Sequence, residues 1–161
     1  LFGTLSALEN VVCAINVKSP GLSKHHADAL ARAWLELLGL EDKADVLSGG
    51  LAYGDQRRLE IARALALEPQ FLLLDEPVAG MNSKETDSLK ALLKDLVFRF
   101  GIGVLLVEHD LKMVMQISDQ IYVLNKGELI AKGTPAEIRV NGDVIEAYVG
   151  DESAEDMGFA I

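Results

Sequence analysis

The chain has 161 residues, half of them hydrophobic, and a net charge of −10 from 25 acidic and 15 basic side chains. This length and composition suit one domain with its own hydrophobic core. The acidic balance argues against a nucleic-acid-binding surface but does not exclude a nucleotide site, because local loops hold phosphates. The single cysteine, Cys13, excludes an intramolecular disulfide. No apolar run approaches the roughly 18 residues of a membrane-spanning helix, so we expect no membrane-inserted segment.

The first part of the sequence predicts two helices. Residues 6–9 have the pattern of a capping box, which opens a helix that runs to about Ile15. A stronger amphipathic pattern covers residues 24–38, and Gly39 is placed to end it. The apolar stripe of this second helix consists of Ala27, Leu30, Ala31, Trp34, Leu35 and Leu38. We therefore expect Trp34 to pack in the core.

A glycine-rich loop precedes the third predicted helix. Residues 47–55 read Leu-Ser-Gly-Gly-Leu-Ala-Tyr-Gly-Asp, and an arginine-rich helix follows them. Glycines allow a tight turn whose backbone N–H groups can approach an anion, and the helix adds its positive N-terminal end. Taken alone, this pattern fits a plain helix-starting turn at least as well as a phosphate contact.

Two carboxylates directly follow a short apolar run. Residues 71–74 fit a strand that is buried on both faces of a parallel sheet. Asp75 and Glu76 come next, and Pro77 ends the strand pattern. Open α/β sheets bind ligands at the carboxyl ends of their strands. There, one acid can hold a hydrated Mg²⁺ and the next can polarise a water. The alternative is a core strand that ends in two solvated acids.

The rest of the chain alternates helices and strands. Residues 83–98 predict a surface helix, and residues 104–107 predict a second buried strand, after which His109 is expected at the same sheet edge as Glu76. Further on, the sequence predicts a helix over 111–117, hairpin strands over 120–124 and 128–131 around a turn at 125–127, a helix capped by residues 134–137, and a helix from about 143 to 149. Residues 151–161 predict a frayed acidic tail.

Several of these segments together resemble the motifs of ABC-type ATPases. Residues 51–65 resemble the signature motif and its helix, residues 72–77 the Walker B segment, and residues 107–110 the switch-histidine loop. Residues 78–82 resemble the D-loop, with Asn82 in place of the usual aspartate. Order and spacing agree with the family over essentially the whole chain, from just after its Q-loop. The resemblance is strongest to the ATP-binding subunits of branched-chain amino acid importers.

The resemblance implies an α/β fold with a P-loop NTPase-like ABC ATPase core, a mostly parallel sheet flanked by helices, and a helical subdomain. Residues 1–68 would form the helical subdomain with the signature motif and its helix. Residues 69–150 would form the α/β core with the C-terminal hairpin and helices, followed by the acidic tail over 151–161. The chain begins with Leu1 and contains no G-x-x-x-x-G-K-[S/T] loop. We expect that loop in sequence before Leu1, so the fold would be truncated at the N-terminus.

The resemblance also implies roles for individual residues. Asp75 would hold Mg²⁺ through water, Glu76 would act as general base or orient the attacking water, and His109 would contact the γ-phosphate. The signature residues that would complete the ATP site of a partner subunit are Leu51, Ala52, Tyr53, Gly54 and Asp55. The D-loop residues that would cross the dimer interface are Ala79, Gly80, Met81 and Asn82.

The signature motif has two candidate frames. Residues 47–50 match the family's commonest wording better, but the spacing to the Walker B segment places the motif leucine at Leu51. The earlier frame would also put Gly54 inside the helix, at a cost of roughly 1 kcal/mol relative to alanine. We therefore prefer the later frame, in which Ala52 replaces the usual serine.

The implied function is binding and hydrolysis of ATP with Mg²⁺ to power branched-chain amino acid uptake. The partners would be a second ATP-binding subunit and membrane permease subunits, at the cytoplasmic face of the cell membrane, without nucleic acid. The chain alone is expected to be inactive. Two alternatives stay open. One is the ATPase of a lipopolysaccharide-export-type ABC system, and the other is a non-catalytic interaction module, which the missing phosphate-binding loop favours for this chain.

Overall fold

The structure, a computed structural model, describes residues 1–148 in two units. The first unit, Leu1–Val107, contains α1 (Ala7–Lys18), α2 (Lys24–Leu37), α3 (Tyr53–Leu65), β1 (Phe71–Asp75), α4 (Ser83–Phe100) and β2 (Gly103–Val107). The second, from Glu108, contains α5 (Leu111–Ile117), β3 (Ile121–Asn125), β4 (Glu128–Gly133), α6 (Pro135–Arg139) and α7 (Gly142–Tyr148). The α/β prediction is confirmed. The predicted tail over 151–161 and the predicted helix end at residue 149 lie outside the described residues.

Helix α1 begins as predicted. The Glu9 N–H donates to the Ser6 hydroxyl at 3.1 Å, and the Ser6 N–H donates to the Glu9 carboxylate at 2.8 Å, which completes the capping box. The helix continues beyond Ile15 to Lys18. It packs against α2 and α3, and this contact forms the helical part of the core.

The apolar stripe of α2 is narrower than predicted. Ala27, Ala31 and Leu35 are buried, but Leu30 is 49% exposed, so its assignment to the core is wrong. At 100° per residue, Leu30 lies at the edge of the predicted stripe and is the first position to reach solvent. Trp34 is half-buried, with its ring centroid 5.6 Å from that of Phe100. It therefore packs at the rim of the core.

Strands β1 and β2 form a parallel pair in which Phe71 is opposite Gly103 and Asp75 is opposite Val107. Leu72 is buried, but Phe71 and Leu73 are 68% and 70% exposed. The prediction of a strand buried on both faces is therefore wrong for the described chain. Leu105 and Val107 on β2 are also exposed, and alternate residues of a strand share a face. One apolar face of this two-stranded sheet is thus uncovered.

Helix α4 begins at a capping box made by Asn82, the last residue of the segment that resembles a D-loop. The Asn82 side-chain oxygen accepts the N–H groups of Lys84 and Glu85 at 3.0 and 3.1 Å. The Glu85 carboxylate in turn accepts the Asn82 N–H at 2.9 Å. The helix ends at Gly101, whose φ of 62° is left-handed. Asn82 therefore has a structural role that needs an oxygen acceptor and no charge.

Replacing Asn82 with alanine should lower the free energy of unfolding by about 1 kcal/mol, because two N–H groups of α4 lose their acceptor. Asn82→Asp is the matched control, since aspartate caps helices as well as asparagine and should leave stability within about 0.5 kcal/mol. Urea unfolding of both variants, followed by circular dichroism, checks this expectation. Equal losses for alanine and aspartate would show that the cap does not stabilise α4.

The second unit contains the predicted hairpin. Strands β3 and β4 are antiparallel, and the two residues between them, Lys126 and Gly127, have φ values of 50° and 86°. Two left-handed residues in a two-residue loop are typical of a type I′ turn. Helix α6 follows with the predicted capping box. The Thr134 backbone N–H and hydroxyl both donate to the Glu137 carboxylate, and they lower the pKa of Glu137.

Candidate functional site

Two carboxylates lie at the carboxyl end of β1. Asp75 is the last residue of the strand and is exposed. The Glu76 N–H donates to the Val107 carbonyl at 2.9 Å, so β2 fixes the backbone just where β1 ends. The Ala79 N–H then donates to the Glu76 carbonyl at 3.2 Å and closes a turn. Both acids are therefore held at the edge of the parallel pair where α/β sheets bind ligands.

Glu76 has a strained backbone. Its φ is 43°, a left-handed conformation that costs a residue with a Cβ roughly 1–2 kcal/mol. The following residue, Pro77, narrows the allowed conformations of Glu76 further. No sequence signal predicts this conformation, because glycine, asparagine and aspartate are the residues that usually adopt it. Strain of this kind persists where the surrounding structure enforces it, and it concentrates at functional sites.

The Glu76→Gly variant should be more stable than the Glu76→Ala variant, with a free energy of unfolding higher by roughly 0.5–1 kcal/mol. Both variants lose the carboxylate, but only alanine keeps a Cβ in a left-handed residue, and that penalty outweighs the greater unfolded-state entropy of glycine. Urea unfolding of the two variants in the 161-residue chain measures the difference. A higher stability for the alanine variant would show that the turn relaxes when the carboxylate is removed.

The signature segment forms the start of α3. Ala52 occupies the N-cap position without a side-chain cap hydrogen bond, and Gly54 is buried in the first helical turn. The prediction that Gly54 lies outside the helix in the later frame is therefore wrong, because α3 begins at Tyr53. The first N–H groups of a helix have no intrahelical acceptor, and an anion can bind to them. With alanine at the N-cap, this end of α3 depends on its backbone alone for such a contact.

Ser48, the hydroxyl residue of the earlier frame, lies inside the first unit. Ser48 is 1% exposed, and its hydroxyl donates to the Phe2 carbonyl at 2.8 Å. The same oxygen accepts the Asn10 side-chain N–H at 3.2 Å. The Ser48 hydroxyl thus serves the interior of the unit, whereas a phosphate contact would need it at the surface.

Asp55 adds a negative charge to the first turn of α3, and a lysine compensates it. The ammonium group of Lys43 lies 2.7 Å from the Asp55 carboxylate. The hydrogen bond to Asp55 raises the pKa of Lys43, against the lowering effect of desolvation. The ion pair joins the turn at Glu41–Lys43 to the helix start.

The structure brings residues 78–82 close to the start of α3, and these two segments resemble the D-loop and the signature motif. A Cβ built on Gly80 would lie 3.5 Å from the Tyr53 ring, and one built on Gly54 would lie 3.9 Å from Met81 and 3.4 Å from the Glu85 carboxylate. The two motifs are separated in sequence by α3 and β1. Their spacing gives no signal of this contact, which sequence reasoning therefore missed.

His109 belongs to the second unit and follows β2 along the chain. Its side chain is 75% exposed, whereas the side chain of its neighbour Glu108 is fully buried. The Glu108 carboxylate accepts the His109 N–H at 3.1 Å, and Asp110 caps α5 by accepting the Met113 N–H at 3.0 Å. Backbone contacts thus fix the loop that carries His109. Its predicted meeting with Glu76 stays a prediction.

The available ligands can be compared with the needs of Mg²⁺. Among residues 1–148, no group of three or more His, Cys, Asp or Glu side chains could hold a metal ion. Mg²⁺ in nucleotide sites is usually held by one or two carboxylates, with water and phosphates completing the shell. The exposed Asp75 fits that requirement.

No helix in the described part of the chain is long and apolar enough to cross a membrane.

Sequence comparisons give one consistent relationship. A family model described as ABC transporter matches residues 1–79, and one described as branched-chain amino acid ATP-binding cassette transporter matches residues 128–154. The chain is 45% identical to the branched-chain amino acid transport ATP-binding protein LivG of Escherichia coli K12 and 46% identical to BraF of Pseudomonas aeruginosa. Each match covers 94% of this chain and 64% of the relative. The lipopolysaccharide export ATP-binding protein LptB of Escherichia coli K12 is 33% identical over 94% of this chain and 62% of its own. This chain thus spans just under two thirds of these curated relatives.

Solved structures agree with the sequence comparisons. An ATP-binding cassette of an ABC transporter in its ADP conformation superposes with a TM-score of 0.77 at 28% identity, over 93% of this chain and 65% of that one. A dimeric post-hydrolysis cassette bound to ADP and Pi superposes with a TM-score of 0.76 at 32% identity, over 84% of this chain and 59% of that one. The predicted P-loop NTPase-like fold is therefore confirmed. The family models, the fold and the sequence identity therefore agree that this chain carries an ABC transporter domain and is similar to the ATP-binding proteins of that family.

Proposed function

We propose that this chain is part of an ATP-hydrolysing subunit that powers branched-chain amino acid uptake. The observation that carries the proposal is the acidic pair Asp75 and Glu76, fixed by β2 in a strained turn at the sheet edge. The 45–46% identity to LivG and BraF, whose names describe branched-chain amino acid transport, supports the solute class. The lower identity of 33% to LptB makes lipopolysaccharide export the weaker alternative.

The chemistry follows from the needs of phosphoryl transfer, which are positioning and charge neutralisation. Glu76 would orient the attacking water or accept its proton. Asp75 would hold Mg²⁺ through water, and the ion, when bound, neutralises charge on the phosphates. His109 would hydrogen-bond to the γ-phosphate. The phosphate-binding loop itself would come from a part of the protein outside these 161 residues.

A partner subunit would complete the site. The residues Leu51, Ala52, Tyr53, Gly54 and Asp55 would face the γ-phosphate of ATP bound by that partner, with the D-loop at the same interface. The likeness to a dimeric cassette bound to ADP and Pi supports this arrangement. The assembly would sit at the cytoplasmic face of the membrane beside permease subunits. The exposed face of β1 and β2 fits a longer protein whose remaining part covers it.

The test expresses the complete reading frame together with the permease subunits of a branched-chain amino acid importer, in cells that lack leucine transport. Inverted vesicles should show ATP hydrolysis, and whole cells should show leucine uptake. The 161-residue chain alone should show neither. ATP hydrolysis without leucine uptake would overturn the solute assignment but keep the ATPase. Micromolar binding of Mg-ATP with turnover by the 161-residue chain, measured by calorimetry, would overturn the requirement for the missing loop.

A further inference from the structure

The aromatic ring of Tyr53 lies directly against the D-loop. Gly80 has a φ of 75°, and a Cβ built on it would lie 3.5 and 3.6 Å from two ring carbons of Tyr53. Apart from the chain neighbours of Gly80, no other group among residues 1–148 comes within 4 Å of that point. The ring is therefore the group that covers this side of the D-loop.

Tyr53 is itself held from behind by its own helix. The Arg57 guanidinium donates to the Tyr53 hydroxyl at 3.0 and 2.6 Å and lies 5.1 Å from the ring centroid. Arg57 in turn donates to Glu60 at 2.8 Å. These residues are one helical turn apart on α3, where side chains meet. The chain of contacts fixes the ring although Tyr53 is 44% exposed.

The contact continues to the next residue of each segment. Gly54 follows Tyr53, and Met81 follows Gly80, and these two also lie together, with Met81 3.9 Å from a Cβ built on Gly54. Within the D-loop, the Met81 N–H donates to the Val78 carbonyl at 3.0 Å. Two adjacent pairs therefore join the loop to the first turn of α3.

We propose that Tyr53 is a positioning residue that holds the D-loop, residues 78–82, against the first turn of α3. The two segments then meet the ATP-bearing partner as one surface. The idea rests on the proposed function, because it assigns both segments to that interface. It goes beyond the family resemblance, since the commonest signature wording has glycine where Tyr53 stands and cannot make this contact.

Hydrogen exchange in the 161-residue chain tests the contact without ATP. In Tyr53→Ala, the amides of Ala79 and Met81 should exchange roughly tenfold faster, while amides of α2 keep their rates and report an intact fold. Tyr53→Phe retains the ring and should stay within about threefold of the parent. Tyr122→Ala is the matched control, because Tyr122 is also half-exposed at 55% with a lysine over its ring. It should leave the D-loop rates unchanged.

ATP-dependent dimer formation by the complete protein tests whether this contact matters for assembly. Tyr53→Ala should raise the ATP concentration that half-saturates dimer formation by roughly tenfold, with ATP binding by the monomer unchanged. Tyr53→Phe keeps the ring but loses the hydrogen bonds from Arg57, so its value should lie between those of Tyr53→Ala and the parent. Unchanged D-loop exchange in Tyr53→Ala would overturn the inference, as would the same dimerisation defect in Tyr53→Phe. If the exchange rates change as expected but the parental protein does not dimerise with ATP, the contact stands and the proposed function fails.

Discussion

Glu76→Gln in the complete protein should lower the rate of ATP hydrolysis by at least about a hundredfold, because general base catalysis contributes about 10²–10⁴ to such rates. Glutamine keeps the shape of the side chain but cannot accept a proton. ATP binding should stay within about twofold, since the phosphate contacts come from other residues. Phosphate release under saturating Mg-ATP gives the rate, and a fluorescent nucleotide gives the affinity.

Glu68→Gln is the matched control for this experiment. Glu68 is also a glutamate with a left-handed backbone, at a φ of 52°, but it precedes β1 and pairs with Lys18 at 3.6 Å. It should hydrolyse ATP at the parental rate. A parental rate for Glu76→Gln, or an equal loss for Glu68→Gln, would contradict the assignment of Glu76 as the base.

Gly54→Asp should abolish ATP-driven dimerisation of the complete protein. The new carboxylate would lie beside Glu85 and Asp55 and would meet the phosphate of the partner's nucleotide. Two like charges about 4 Å apart repel by about 4 kcal/mol near a protein surface, which corresponds to a loss of at least about a hundredfold in association. Size-exclusion chromatography with and without ATP measures the effect.

Two variants in the earlier signature frame serve as controls. Gly50→Asp adds the same charge where a Cβ meets nothing within 4 Å, so dimerisation should persist. Ser48→Ala should cost about 1 kcal/mol of folding stability, because it removes a buried hydrogen bond, while dimerisation is retained. Dimerisation lost in Gly50→Asp but kept in Gly54→Asp would show that the earlier frame is the functional one.

Features with a local cause could be predicted from the sequence. The capping boxes at Ser6 and Thr134 and the turn at Lys126–Gly127 each depend on a few adjacent residues. The order of helices and strands could be predicted for the same reason, because local sequence patterns indicate each element. Burial was harder, because periodicity identifies an apolar stripe but not what packs on it. Leu30 and Phe71 were therefore assigned to a core that leaves them exposed.

In the candidate site, too, features with a local cause could be predicted, whereas features that depend on distant segments could not. Asp75 and Glu76 could be placed at a strand end, because a short apolar run followed by acids indicates that position. The left-handed backbone of Glu76 could not be predicted, because glutamate rarely adopts it and the hydrogen bond that Glu76 makes is to Val107 on another strand. The contact between Tyr53 and Gly80 likewise joins segments separated by α3 and β1. Only the three-dimensional fold shows such long-range pairs.

The proposed role of Glu76 would make position 76 a place where a subunit loses its chemistry without losing its fold. Most damaging substitutions lower stability, and cells degrade the resulting proteins. Glu76→Gly removes the carboxylate while relaxing the backbone at φ 43°, so the inactive subunit should escape degradation and still pair with normal copies. Were the proposed dimer made of two copies of this subunit, equal amounts of both forms would leave only about a quarter of the assemblies fully parental. Such a mutation would then be dominant-negative if one altered subunit inactivates a mixed dimer, because only the fully parental quarter would work.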